Sequence, residues 1–341
     1  MNILDNLLGR EEGTPDPDRD MEKVLERMKA LGAVPFETLS PEQARAQPTP
    51  ADAVKAILRD RGMDPDASLG VATKDITIPG PAGPIQARLY GPEGDSDDKV
   101  RPVVVYWHGG GWVFADLDVY DSTPRGIAKA AGCIVVSCHY RQAPEDKFPA
   151  AHEDAYAAYR WVLENASQFG GDPKNIAVMG ESAGGNLATN VAIHARDNDL
   201  QAPAHMALIY PVAGVDTNTP SYQENATAVP LSKAGMQWFV QHVFNSEAEA
   251  DNPQINLVQK SNLSGLPSAT VIRAEIDPLR SEGETLAEKL EAAGSAVRGK
   301  TFAGVTHEFF GMALVVKDAA AAQTFVAHEL KRAFGTAILP I

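Results

Sequence analysis

The sequence predicts an α/β fold: a mostly parallel central sheet flanked by helices, with a helical cap. Three observations lead there. Short apolar runs at 102–107, 133–137, 176–179, 206–211 and 270–274 alternate with longer stretches of helical periodicity. Such alternation builds a parallel sheet covered on both faces. Gly180-x-Ser182-x-Gly184 stands between one of these runs and a helix pattern, the strand–turn–helix context of a nucleophile elbow. Helical stretches before Asp75 and an irregular interval at 213–257 break the alternation, and a cover over a pocket is one use for them.

Composition bounds the reading. A chain of 341 residues can hold one large α/β domain with an appendage. Hydrophobic content of 44% indicates a globular protein. The formal charge of −15 argues against nucleic acid and anionic membrane surfaces as partners. No apolar run approaches a membrane span, so no stable membrane insertion is expected. Met1-Asn2-Ile3-Leu4-Asp5 lacks a basic start followed by an apolar core, so no secretory signal is expected. Cys133 and Cys138 lie at an odd offset in one apolar run and face opposite sides of a strand. Without a disulfide framework the expected location is the reducing cytoplasm.

Taken in order, residues 1–20 are acidic, contain Gly13, Pro15 and Pro17, and read as a loose lead. Val24, Leu25, Met28 and Leu31 follow helical spacing, with Gly32 as a stop. Ser40-Pro41-Glu42-Gln43 is a helix start: Ser40 caps, Pro41 opens the first turn, and Gln43 reaches back. Residues 50–61 form another helix, with Val54, Ile57 and Leu58 on one face. These first helices, 1–65, are expected to form one cap segment. Strands at 75–78 and 85–90, divided by a Pro/Gly-rich turn, read as an antiparallel pair. The strand at 102–107 is dense in β-branched and aromatic residues. Helices follow at 123–131 and 150–169, then the elbow strand and its helix, and a strand at 206–211. The core domain is thus expected at 70–212 and 258–341, with 213–257 as a second cap insertion that contains an amphipathic stretch at 236–244. Strand 270–274, helix 282–293, strand 297–302 and helix 318–334 complete it.

The chemistry concentrates at strand ends. Gly180 and Gly184 let the chain pack tightly around a turn that strains Ser182 and projects it beside a helix N-terminus. His108-Gly109-Gly110-Gly111-Trp112 follows another strand. Its glycines suit a loop whose N–H groups point into a site, so Gly109, Gly110 and Ala183 are candidate oxyanion donors. His108 is expected to hold the loop. A serine needs a base, and the base needs an orienting acid, each after a later strand. Asp277 in Asp277-Pro278-Leu279-Arg280 is the candidate acid, with Glu275 and Glu282 as rivals. His307 in Thr306-His307-Glu308-Phe309 is the candidate base. Trp112 and Phe309 flank these loops and are candidate pocket residues. No Cys/His spacing suits a metal, and no cofactor is expected.

Together these motifs resemble the hormone-sensitive-lipase-like esterases, bacterial family IV of the α/β-hydrolase superfamily. The matching pieces are His108-Gly109-Gly110-Gly111-Trp112, Tyr140-Arg141-Gln142-Ala143-Pro144-Glu145, Phe148-Pro149-Ala150-Ala151, Gly180-Glu181-Ser182-Ala183-Gly184-Gly185-Asn186-Leu187-Ala188, Asp277-Pro278-Leu279-Arg280, and His307 with Phe309. They occur in family order over about residues 75 to 315. The resemblance implies an α/β-hydrolase fold and cofactor-free hydrolysis of a small-molecule carboxylic ester, with short to medium acyl chains usual. It implies Ser182 as nucleophile, Asp277 as acid, His307 as base, a cap from the N-terminal helices and the insertion, and a homodimer as a common assembly. Glu181 stands where Asp is usual, Ile276 where an aromatic is common, Ser281 where Asp is common, and Glu308 where Gly is common. Amidases, formamidases and lactonases would use the same machinery. Gibberellin receptors resemble the family but lack the catalytic histidine, which is present here as His307.

Overall fold

The computed structural model describes residues 14–94 and 99–337. Most of the acidic lead, residues 1–13, lies outside them. Among the described residues, β1 (Val71–Gly80), β2 (Gly83–Pro92), β3 (Arg101–Trp107), β4 (Ile134–His139), β5 (Gly171–Glu181), β6 (Met206–Ile209), β7 (Ala269–Ile276) and β8 (Val297–Thr306) form one sheet in the order β1-β2-β4-β3-β5-β6-β7-β8. The first two strands are an antiparallel hairpin, and β2 pairs antiparallel with β4. Every later pairing is parallel.

Period-two alternation decides which face each side chain takes. Val103, Val105 and Trp107 of β3 join one core, while Val104 and Tyr106 join the other. Ile176 and Val178 of β5 likewise oppose Ala177 and Met179. The cysteines obey the same rule: Cys138 lies in the first core and Cys133 in the second, both buried and unpaired.

The N-terminal helices are α1 (Arg19–Ala30), α2 (Pro41–Ala46) and α3 (Pro50–Asp60). Ser40 and Thr49 close full capping boxes with Gln43 and Asp52, which fixes where α2 and α3 begin. Helices α4 (Ser122–Ala131), α5 (Ala150–Asn165) and α6 (Ala183–Asp197) follow. The segment after β6 holds α7 (Pro220–Glu224), α8 (Lys233–Val243), α9 (Glu247–Ala250) and α10 (Leu257–Lys260). Helices α11 (Arg280–Ala292) and α12 (Lys317–Ala333) complete the chain. Met21, Val24, Leu25 and Met28 of α1 and Val54, Ile57 and Leu58 of α3 pack into the second core. The chain between them turns the other way. Phe36 meets Trp238 and Phe239 of α8 at 5.4 and 5.0 Å, and the Trp238 indole N–H donates to the Leu39 carbonyl at 3.0 Å.

Element ends differ from the sequence reading where tertiary pairing decides them. The helix expected over 150–169 is α-helical only to Asn165 and finishes as a 3-10 turn over Ala166–Phe169, stopped by Gly170 in a left-handed conformation. The last strand runs on to Thr306 because Ile276 pairs with Thr306 across a register shift.

Candidate active site

Four strand ends, those of β3, β5, β7 and β8, bring the sequence candidates together. Trp107 lies opposite Gly180 in the β3–β5 ladder, so the glycine loop and the Ser182 turn emerge side by side. Ile276 lies opposite Thr306, so Asp277 and His307 emerge together. Ser182 has φ 55° and ψ −117°, a strained conformation for a residue with a side chain. Glycines make the turn sterically feasible. A Cβ on Gly180 would lie 2.0 Å from the Gly184 carbonyl oxygen, and one on Gly184 would lie 2.0 Å from that of Trp107. The turn is tied to β6, since the Ser182 N–H donates to the Ile209 carbonyl at 2.9 Å and the Val212 N–H to the Ser182 carbonyl at 3.1 Å.

His307 and Ser182 line one cavity of about 730 Å³. The His307 Nδ1 lies 2.7 Å from the Asp277 Oδ2, and the Asp277 Oδ1 accepts from the Leu279 N–H at 2.9 Å. Both side chains are buried. Burial opposes a charge on His307, but the Asp277 carboxylate, with Glu308 and Glu181 nearby, raises its pKa above the ordinary imidazole range. The rival acids are engaged elsewhere. Glu275 accepts from the Gly304 N–H at 2.8 Å. Glu282 accepts from the N–H groups of Ala213 and Gly214, both at 2.9 Å, and from the Tyr222 hydroxyl at 3.1 Å. Its pKa is raised to about 7, chiefly by burial.

The glycine loop is held by its carbonyls. Tyr140 donates its hydroxyl hydrogen to the carbonyls of His108 and Gly109, at 2.9 and 3.1 Å. His108 Nδ1 contacts the Gly109 carbonyl at 2.8 Å and Nε2 contacts His139 at 3.1 Å, and burial depresses its pKa to about 3. His108 is therefore a neutral brace. With the carbonyls taken, the N–H groups of Gly109, Gly110 and Ala183 donate to no protein acceptor among the described residues. Gly110 and Gly111 line the cavity beside Ser182.

Two expected pocket residues lie elsewhere. Trp112 has φ 59°, which turns it away to pack against His152 beside a small separate void. Phe309 is fully buried against Tyr210 and Phe302. Neither lines the cavity; Phe36, Phe114 and Phe239 do. They come from three distant segments, and no motif marks them. The polar supports were also missed. Glu181 is fully buried and accepts from the hydroxyls of Tyr106, at 2.6 Å, and Tyr210. The Tyr210 ring packs 4.5 Å from His307, so the residue before the serine is linked to the histidine through one aromatic ring. Gln142 donates to the carbonyls of Phe114 and Ala115, and Arg45 of α2 bridges to Glu145 and the Val113 carbonyl. These bonds give the Tyr140–Glu145 stretch its work: it fastens the glycine loop and an N-terminal helix to the sheet.

The serine turn, the adjoining glycine loop and the buried acid–histidine pair at neighbouring strand ends define a site of the α/β-hydrolase type. The sequence model of the alpha/beta hydrolase fold matches residues 104–311. The chain is 39% identical over 310 residues to esterase LipI of Mycobacterium tuberculosis, covering 90% of this chain and 93% of that protein. It is 32% identical over 315 residues to an ethyl acetate hydrolase of Pseudomonas putida, covering 91% and 96%. The structure of a hyperthermophilic esterase from the archaeon Pyrobaculum calidifontis superposes with a TM-score of 0.81 at 35% identity, over 95% of this chain and all of that one. The chain belongs to the α/β-hydrolase-fold family, in its hormone-sensitive-lipase-like branch of carboxylic ester hydrolases. Among the described residues no helix is long and apolar enough to cross a membrane.

Proposed function

We infer that the protein is a serine carboxylesterase for short- to medium-chain acyl esters, working through a Ser182–His307–Asp277 triad and an acyl-enzyme. The observation that carries this is the 2.7 Å Asp277–His307 contact beside a cavity that Ser182 and His307 share. Asp277 holds the imidazole with Nδ1 toward itself, leaving Nε2 to take the Ser182 proton. The serine oxygen attacks the ester carbonyl, and the N–H groups of Gly109, Gly110 and Ala183 receive the developing oxyanion. His307 returns the proton to the departing alcohol. Water then repeats the sequence on the acyl-enzyme and releases the acid. The N-terminal helices and the 213–257 segment act as the cap, and their Phe36–Trp238–Phe239 contact supports this reading. A cavity of about 730 Å³ can take a substrate larger than the ethyl acetate of the named relative. A cytoplasmic homodimer belongs to the same reading, on the strength of the resemblance and of two unpaired cysteines.

The test is hydrolysis of p-nitrophenyl esters from acetate to palmitate by wild type and Ser182→Ala. Turnover should peak at short to medium chains and vanish in the variant. Activity near wild type in Ser182→Ala would remove the serine assignment. A folded wild type inert to every ester would shift the assignment to amides or lactones.

A further inference from the structure

The cavity has two chemically different ends. Beside the glycine loop its wall is aromatic: Phe114 and Phe239 stand 5.3 Å apart, and a Cβ on Gly111 would fall 2.2 Å from the Phe239 ring. Beside His307 it is acidic. Glu308 lines the cavity and has φ 68°, a left-handed conformation that costs strain in a residue with a side chain. Its Oε1 accepts from the Tyr120 hydroxyl at 3.2 Å. Its other carboxyl oxygen has no protein donor among the described residues and is not sealed from the cavity.

Other charged groups of the lining also have partners. The Arg45 guanidinium is taken up by Glu145 and by the carbonyls of Val113 and Ala143. Glu37 accepts from the Ser232 hydroxyl, and Asp116 from the N–H groups of Asp118 and Val119. Lys29 is exposed on α1. Glu37 and Asp116 also keep one carboxyl oxygen without a protein donor among the described residues, but of these carboxyls Glu308 alone directly follows the candidate base in the chain.

We propose that Glu308 selects the alcohol half of the ester, favouring alcohols that carry an ammonium or another hydrogen-bond donor and disfavouring anionic ones. This rests on the esterase reading. His307 protonates the departing alkoxide, so the alcohol oxygen must come within hydrogen-bond reach of Nε2. A substituent a few bonds further along then lies beside the next residue of the same loop. In an enclosed site a carboxylate attracts a cation more strongly than it does in water, and a substrate donor supplies the partner that the protein withholds.

The experiment compares kcat/KM for acetylcholine and 3,3-dimethylbutyl acetate, two esters of nearly one shape that differ by a positive charge. The quaternary ammonium has no N–H, so this pair reads charge alone: the cation-to-neutral ratio should fall about tenfold in Glu308→Gln, the order of magnitude of one partly buried charge–charge attraction, and Glu308→Asp should recover part of it. For an acetate ester whose alcohol bears a carboxylate, the ratio to the neutral ester should rise in Glu308→Gln. Ratios within one protein cancel losses of folded enzyme, so a purely structural role would leave them unmoved. Equal ratios in wild type and Glu308→Gln would overturn the proposal while leaving the esterase reading intact. A wild type that hydrolyses no ester would remove both.

Discussion

His307 titrates under opposed influences. Burial disfavours its charged form, while Asp277 first, then Glu308 and Glu181, favour it, and the outcome is a raised pKa. A general base must be neutral to accept a proton. The acid limb of kcat/KM should therefore lie above the ordinary imidazole value of about 6.5, with activity lost as pH falls through it. Asp277→Asn should lower kcat by about 10⁴, on the precedent of the serine-protease triad, and should shift the acid limb to lower pH by removing the main raising charge. A pH–rate profile of the purified variant reads both. A loss under about tenfold would reassign the orienting acid, although Glu275 and Glu282 already bind backbone N–H groups.

At the scale of elements, the serine turn depends on the close approach of β3, β5 and α6. The distance from a Gly184 Cβ to the Trp107 carbonyl, 2.0 Å, is far inside any real contact, and the atom it meets is backbone in a central strand. Gly184→Ala should abolish soluble folded protein or lower the melting temperature by more than about 10 °C, through overpacking where nothing can yield. Gly132→Ala is the matched control. That glycine caps α4 at φ 68° with nothing within 4 Å of a Cβ, so its cost should be the left-handed strain alone, about 1–2 kcal/mol. Thermal melts of the two variants separate the effects; equal melts would show that the turn can relax. The same elements show what periodicity carries. Runs such as Ile176 to Met179, bounded by turn residues, announce a strand and its faces. They do not announce that β8 reaches Thr306, because pairing with Ile276 decides that.

Across the whole molecule, the acid–histidine pair was legible because each partner follows its own strand in a fixed order, and a parallel sheet brings successive strand ends to one edge. The cavity wall was not. Phe36, Phe114 and Phe239 meet only when the N-terminal segment closes onto α8. Trp112 lies outside the cavity for a related reason: nearness to a motif along the chain does not set the direction of a side chain on a left-handed residue. The opposite placement of Cys133 and Cys138 was readable from their odd offset, and it gives the molecule an internal gauge of its own opening. Each thiol is buried in a different core, and burial pushes Cys133 up to about 12 and Cys138 higher still. Thiolates are the reactive form, so Ellman's reagent should label neither in native protein and both after denaturation. Because the sheet separates them, the two labelling rates time the loosening of each layer independently. Unequal rates under mild denaturant would show one face of the molecule opening before the other, and equal rates would mean that both layers yield in a single cooperative event.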